Sequence, residues 1–328
     1  MGDREKPALA IVVPCYNEEA VLSEAAKRLG GKIGQLVSAG VVSGKSRILF
    51  IDDGSRDASW SLIEKLHCEN PQFFGGIKLS RNCGQQNALL CGLLAAKDSA
   101  DAAVSVDADL QDDVDAIDKM LECYASGADI VYGVRSGRMG DSFRKRKSAR
   151  FFYRFMRTLG ADLVPDHADF RLLSRNAINA LAEYGEANIF LRGIIPLLGF
   201  PAATVYYERK ERIAGKSKYT FGKMLNFAFD GIASFSIKPL RFILLLGILL
   251  LGASLILAII YTARVFCGLA INPLAPLLCS LWAIGGFIVF SIGIAGEYIG
   301  KIYTEAKRRP RWRVEQSLYA PWEPHEKQ

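Results

Sequence analysis

Short apolar runs recur along the first two hundred residues, each separated from the next by a polar turn and a helical stretch. LAIVV (Leu9–Val13) predicts a strand, and a helix follows from Glu19 to about Val37. RILFI (Arg47–Ile51) predicts the second strand, with a helix from Ala58 to about Cys68. FFGGIKL gives a third strand before a helix over Gln85 to Lys97, and AAVSV a fourth before a helix over Val114 to Ser126. ADIVYG, DFRLLS (Asp169–Ser174) and ATVYYERK read as further strands. Apolar strands alternating with helices at this spacing predict an α/β domain, Rossmann-like, with a mostly parallel sheet covered on both faces. Ligands of such sheets bind beyond the carboxyl ends of the strands.

The pattern changes near residue 210. In YTFGKMLNFAFDGIASFSIKPLR, Phe221, Leu225 and Phe229 share one helical face, with Met224 and Ala228 beside them. This suits amphipathic interface helices lying in a membrane surface, or packing against apolar spans. Two such spans follow: Phe242 to Ala263 is 22 residues without a charge, and Ile271 to Gly296 is 26 more. A bilayer core needs about 20 residues, so both are long enough to cross it as transmembrane helices. The expected organisation is a catalytic domain over 1–210, juxtamembrane helices over 211–240, two transmembrane helices over 241–298 and a basic tail over 299–328. The N-terminal apolar run is too short for a span and is not placed like a signal peptide.

Charge orients these pieces. The formal net charge of +7 could suggest nucleic acid as a partner. Its distribution argues otherwise, because Lys238 and Arg241 precede the first span and Lys301, Lys307, Arg308, Arg309, Arg311 and Arg313 follow the second. Only Arg264 lies in the connection. The positive-inside rule then predicts an inner (plasma) membrane protein with catalytic domain and both termini cytoplasmic, its basic tail near anionic lipid. The seven cysteines show neither paired nor metal-ligand spacing, which fits a reducing compartment.

The strand ends carry the polar chemistry: PCYNEE, DDGSRDAS, RNCGQQN, DADLQDD and GVRSGR follow the first five strands in turn. DADLQDD invites three readings. An EF-hand loop starting at Asp107 would need Gly at its sixth position and Glu at its twelfth, where Asp112 and Asp118 stand. A phosphatase of the haloacid dehalogenase type uses its first strand and carries Thr or Val where Gln111 stands. A solvated loop explains Asp112, Asp113 and Asp115, since acids favour the first turn of a helix. It explains Asp107 and Asp109 less well: alternate carboxylates at a strand end are hard oxygen ligands suited to Mg²⁺ or Mn²⁺.

With these loops assembled, the sequence resembles a family 2 glycosyltransferase of GT-A fold, in the branch acting on polyprenyl phosphate. It is similar to the dolichyl-phosphate mannose synthases and, more nearly, to bacterial undecaprenyl-phosphate glycosyltransferases with two C-terminal spans. The ordered motifs are VPCYNEE, IDDGSRD, NCGQQNAL, DADLQD, YGVR, DFRLLSR, RKERIAGKSKY, GIASFSIKPLR and GEYIGKIY. The resemblance implies that Pro14, Tyr16 and Glu18 help hold the nucleotide, that Asp52 contacts the base, and that Asp53 belongs to the same loop. It implies metal binding by Asp109 and Gln111, with Asp107 near the ribose, the metal or both. Arg135 and a basic residue from Arg144 or Arg146 would grip the lipid phosphate, with Ser148 nearby. Asp169 would lie close to the sugar, and Arg209, Arg212 and Lys218 would close over the diphosphate or face the membrane. Plainer readings stand beside these: turn-shaping for Pro14 and Gly54, a membrane-facing patch for Arg144 to Arg146, a structural pair for Asp169. Tyr206 and Tyr207 read as packing residues.

The implied reaction is inverting transfer of a hexose to the acceptor phosphate, with Asp109, Arg135 and Asp169 at its centre. An acceptor phosphate is ionised near neutral pH, its second pKa being about 6, and needs no strong general base. The architecture favours UDP-glucose as donor. GDP-mannose, UDP-galactose, UDP-N-acetylhexosamine and UDP-aminoarabinose derivatives are the alternatives, as are a soluble acceptor and a non-catalytic nucleotide-sugar-binding scaffold. The resemblance also implies a homo-oligomer, a tetramer among its forms, and a separate flippase.

Overall fold

The computed structural model describes residues 6–135, 167–186, 189–208, 238–267 and 274–319. These fall into two compact units, one holding a sheet and the other two long helices. Arg144, Arg146, Ser148, Arg209, Arg212, Lys218 and nearly all of 211–240 lie outside the described residues.

The strands are β1 (Leu9–Cys15), β2 (Arg47–Asp52), β3 (Phe74–Leu79), β4 (Ala102–Ser105), β5 (Ile130–Arg135), β6 (His167–Ser174), β7 (Ala202–Tyr207) and β8 (Val314–Ser317). They form one eight-stranded sheet in the order β7-β5-β6-β4-β1-β2-β3-β8. β1 pairs in parallel with β2 and β4, as do β2 with β3 and β5 with β7. β6 runs antiparallel between β4 and β5, so the fourth and fifth predicted strands are not neighbours. The chain steps from β1 to β2 and β3 on one side and places β4 on the other. That switch leaves a crevice beyond the carboxyl ends of β1 and β4, between PCYNEE and DADLQDD.

Helices α1 (Glu19–Ser38), α2 (Ser59–Glu69), α3 (Gln85–Ala96) and α4 (Ala116–Ala125) match the sequence-predicted positions. On α1, Leu22, Ala25, Leu29, Ile33 and Leu36 recur at three- and four-residue spacing and are buried, fixing which face meets the sheet. α3 is buried almost all round, and at Gly92 an added Cβ would run into the side chains of Val12 and Ile51. Only glycine lets the helix lie so close to β1 and β2. Two short helices escaped the sequence pattern: α5 (Arg175–Ala182), capped by the Ser174 hydroxyl, and α6 (Leu191–Leu197).

β8 lies in the segment expected to be a basic tail. It covers the edge of β3 in antiparallel register, and the backbone bonds Ser80 N to Arg313 O and Leu318 N to Gly76 O extend the pairing. Trp60 Nε1 donates to Gln316 Oε1 at 2.8 Å, and Lys78 meets Glu315 at 3.1 Å. Four residues just after a run of arginines give no strand signal of their own; the open edge of β3 supplies the partner.

The second unit holds α7 (Lys238–Phe266) and α8 (Leu274–Ala306). Both expected spans are therefore helical over their described residues. One segment among the described residues, Ile284–Ala306, has the length and mean hydropathy (23 residues, 1.3) to cross a membrane. Large apolar side chains stand exposed along both helices, among them Leu255, Ile259, Leu277, Leu281, Val289 and Ile292.

Candidate functional site

The loops after β1 and β2 are knitted by their own polar groups. Asn17 N donates to Ser55 Oγ at 2.9 Å, and Arg56 N returns a bond to Asn17 Oδ1 at 2.8 Å. Glu18 N donates to Ser59 Oγ, and Glu19 and Asp57 cap each other's loops. Asn17 sits at a φ of 52°, a left-handed conformation that Asn tolerates. Pro14, Tyr16 and Glu18 thus occupy a braced platform, Pro14 buried and the other two half-buried.

Asp52 and Asp53 are adjacent in sequence and differ in role. The Asp53 carboxylate accepts from Cys83 N at 2.7 Å and Gly84 N at 2.9 Å, tying the loop after β2 to the loop after β3. Burial pushes its pKa up, while the two backbone N–H groups oppose that. Gly54 beside it has φ +67°, and an added Cβ would lie 2.6 Å from Arg81 C, so the two loops meet backbone to backbone. Asp52 is fully buried; one oxygen accepts from Ser55 N, and its Oδ1 has no partner among the described residues. An open acceptor at the floor of the platform is what a base N–H would need. Cys15, buried beneath, has its thiol pushed well above its usual pKa by burial and by the negative charge of Asp52 and Glu18, which makes it a poor nucleophile.

The acidic turn separates its own members. Lys32, almost buried on α1, pairs with Asp115 at 2.9 Å and Asp118 at 2.6 Å. Asp112, 2% exposed, accepts from Arg135 Nη2 at 3.1 Å and from the Tyr207 hydroxyl at 2.5 Å. Asp107 and Asp109 take amide donors: Gln85 Nε2 donates to Asp107 Oδ1 at 2.8 Å, and Gln111 N donates to Asp109 Oδ1 at 3.2 Å. Leu110 between them is held at a φ of 48°, a costly conformation for a branched side chain and one that recurs at functional turns.

Asp169, 7% exposed, lies on β6. It is embraced by Arg171, by Arg192 through Nε and Nη2 at 3.2 Å each, and by Gln86 Nε2 at 3.2 Å. Gln86 also accepts from Leu191 N, joining the starts of α3 and α6 around this carboxylate. Neither Arg192 nor Gln86 is among the residues the motifs nominated. The signal for them lies in tertiary pairing rather than in spacing.

Electrostatics picks out one acid. Burial, then the negative charges of Asp169, Asp112 and Asp109, push the Asp107 carboxyl up to about 7, with Arg135 pulling the other way. Among the described residues no group of three or more His, Cys, Asp or Glu forms a complete metal cage. The donor set nonetheless fits a hard divalent cation: two carboxylates on alternate residues, crowded by like charge, with coordination left for ligand oxygens. Asp107, Asp109 and, through its half-turn position, Gln111 are the residues that would hold it.

The fold and this arrangement define an α/β domain whose polar loops gather at the sheet's switch point. The family model for glycosyl transferase family 2 matches residues 10–182, and the chain belongs to that family. It is 46% identical, over 96% of its length and 94% of the other's, to the uncharacterized glycosyltransferase YkoT of Bacillus subtilis. It is 35% identical to the SfII prophage-derived bactoprenol glucosyl transferase of Shigella flexneri, covering 94% of this chain and 98% of that one. The prophage bactoprenol glucosyl transferase homolog of Escherichia coli K12 matches at 35% over 93% of this chain and 97% of its own.

Proposed function

We propose that this protein transfers a hexose, glucose from UDP-glucose, to undecaprenyl phosphate with inversion, giving a β-linked polyprenyl-phosphate sugar and nucleoside diphosphate. The observation that carries the reading is the pair of alternate carboxylates in the acidic turn. Asp107 and Asp109 stand at the switch point, with Asp107 buried and crowded by the like charges of Asp169, Asp112 and Asp109. The names of the Shigella and Escherichia relatives supply the acceptor and the sugar.

In this reading Pro14, Tyr16, Glu18 and Asp52 hold the nucleotide, and Asp53 fixes the loop that does so. A phosphate oxygen of the acceptor attacks the anomeric carbon with its own electron pair. The bond from that carbon to the diphosphate oxygen breaks, and its electrons leave with the nucleoside diphosphate. Asp107, Asp109 and Gln111 would hold a divalent cation, whose positive charge would stabilise that leaving group. Arg135, with Arg144 or Arg146 and Ser148, offsets repulsion between the two phosphates by charge-assisted contacts. Asp169 is assigned to the sugar, and Arg209, Arg212 and Lys218, outside the described residues, are assigned to the diphosphate or the membrane surface.

The second unit and the sheet topology support membrane attachment. β7 ends at Tyr207 and β8 begins at Val314, and both are strands of one sheet. The chain between them must return to the side it left, which supports an even number of crossings. Two spans, Phe242–Ala263 and Ile271–Gly296, satisfy that with the site and both termini cytoplasmic. The exposed apolar faces of α7 and α8 are suited to lipid.

The test incubates purified full-length protein with undecaprenyl phosphate, Mg²⁺ or Mn²⁺ and a panel of labelled nucleotide sugars, then extracts the lipid. Label carried into lipid from UDP-glucose, and lost on the order of a thousandfold in a folded Asp109→Asn variant, is the expected result. Transfer from another donor alone would replace the sugar, and no transfer from any donor by folded protein would overturn the reading.

A further inference from the structure

The parallel register of β5 and β7 sets Arg135 directly opposite Tyr207. Along β7 the exposure alternates, with Tyr206 at 65% and Tyr207 at 4%, so the two neighbouring tyrosines face opposite ways. The Tyr207 ring meets Phe170 edge to face, with centroids 5.2 Å apart and planes at 89°. Its hydroxyl donates to Asp112 Oδ1 at 2.5 Å and accepts from Arg135 Nε at 3.3 Å. Arg135 Nη2 donates to the same Asp112 oxygen at 3.1 Å. One carboxylate oxygen and one phenol therefore fix two donors, Nε and Nη2, of a single guanidinium. Asp112 Oδ2 is buried with no partner among the described residues, so this carboxylate is held in place for the bonds made by its other oxygen.

A buried tyrosine that served only as packing would be replaceable by phenylalanine, and a buried aspartate three residues past Asp109 would be a costly way to end a turn. Their joint effect is to restrict an arginine whose side chain remains 30% accessible. A guanidinium clamped at Nε and Nη2 still presents its remaining N–H donors in a fixed plane, the geometry for holding a phosphate.

We propose that Asp112 and Tyr207 are positioning residues for Arg135, aiming its free donor edge at the acceptor phosphate from within the acidic turn and from β7. The inference rests on the proposed acceptor reading. Asp112 ties the aim of Arg135 to the same turn that carries Asp109 and Gln111, and Tyr207 anchors it to the sheet edge.

Full-length protein in lipid nanodiscs, assayed with undecaprenyl phosphate and the donor varied independently, tests this. Tyr207→Phe keeps the ring on Phe170 and removes only the hydroxyl. It should raise KM for the lipid phosphate roughly threefold to tenfold, the worth of about one hydrogen bond, and leave donor KM unchanged. Asp112→Asn should raise the same constant further. On an Arg135→Lys background, Tyr207→Phe should add little, because the group it aims is already altered. Equal effects of Tyr207→Phe on both backgrounds, a rise in donor KM instead, or no change at all would overturn the proposal. Should Asp112→Asn fail to fold, the Tyr207→Phe cycle carries the test alone. Failure of the acceptor reading itself shows earlier and separately, as wild-type turnover independent of lipid phosphate, and it removes this proposal with it.

Discussion

The two flanks of the acidic turn hold their carboxylates by different means. On the β1–β2–β3 side, Asp53 accepts from two backbone N–H groups, Asp52 from one, and Asp57 from those of Glu19 and Ser59. On the β5–β6–β7 side, Asp112 and Asp169 are held by side chains: Arg135 and Tyr207 for one, Arg171, Arg192 and Gln86 for the other. Backbone donors belong to a loop and arrive wherever that loop is correctly built. Apart from Arg171, two residues from Asp169 on β6, these side chains come from other elements: Arg135 from β5, Tyr207 from β7, Arg192 from α6 and Gln86 from α3. Asp107 and Asp109 lie between the two flanks, where Gln85 Nε2 donates to one and Gln111 N to the other.

That difference decides what the sequence can tell. The strands and main helices of the first unit are legible because apolar runs and turns are local, and the strand-end motifs locate the crevice before any geometry is known. The loop clamp of Asp53 is implicit in IDDGSRD, since a Gly at positive φ and neighbouring small polar residues describe a tight turn. The insertion of antiparallel β6 between β4 and β5 is not legible, nor are the roles of Arg192, Gln86 and Tyr207, because each depends on how elements distant in sequence come together. β8 is hidden for the same reason. Its four residues become a strand only against the edge of β3.

The largest expected effect tests the side-chain flank. Arg171 is 1% exposed, and its Nε and Nη1 have no partner among the described residues, so its burial is tolerated only through Asp169. Arg171→Met should destabilise the first unit by about 3 kcal/mol, the lower end for breaking a buried ion pair, because Arg192 and Gln86 still hold the carboxylate. A thermal or urea unfolding midpoint measures it. An unchanged or raised midpoint would mean the two arginines are redundant and the flank is less dependent on paired charge than its geometry indicates.

The backbone flank should yield less. Asp53→Asn keeps the shape but turns one acceptor oxygen into an amide donor facing a backbone N–H. The expected loss is about 1–3 kcal/mol, that of one buried donor left unmatched. Hydrogen exchange at Cys83 and Gly84 locates the loss: it should rise there before it rises in β1 or β2. Equal protection in variant and parent would show that the loops after β2 and β3 hold together without this carboxylate.

Between the flanks the sign reverses. Asp107 is held up at about 7 by burial and by Asp169, Asp112 and Asp109, so its ionised form is a liability in the metal-free protein. Its folded pKa lies above the unfolded value of 3.8, which means that the cost is absent below that value, grows as pH rises and is complete above about 7. Asp107→Asn keeps an acceptor for Gln85 and removes the charge. In chelator-treated protein at pH 8 the variant should melt roughly 2–4 °C higher, the shift produced by about 1 kcal/mol in a domain of this size. At pH 4 the two should melt together. With Mn²⁺ and nucleotide sugar present the order should invert, because the parent gains ligand-linked stability that the variant has lost. A parent more stable than the variant at pH 8 without metal would show that Asp107 is stabilised by its surroundings, and the crowded pair would then be a structural feature of the turn rather than a place kept for a cation.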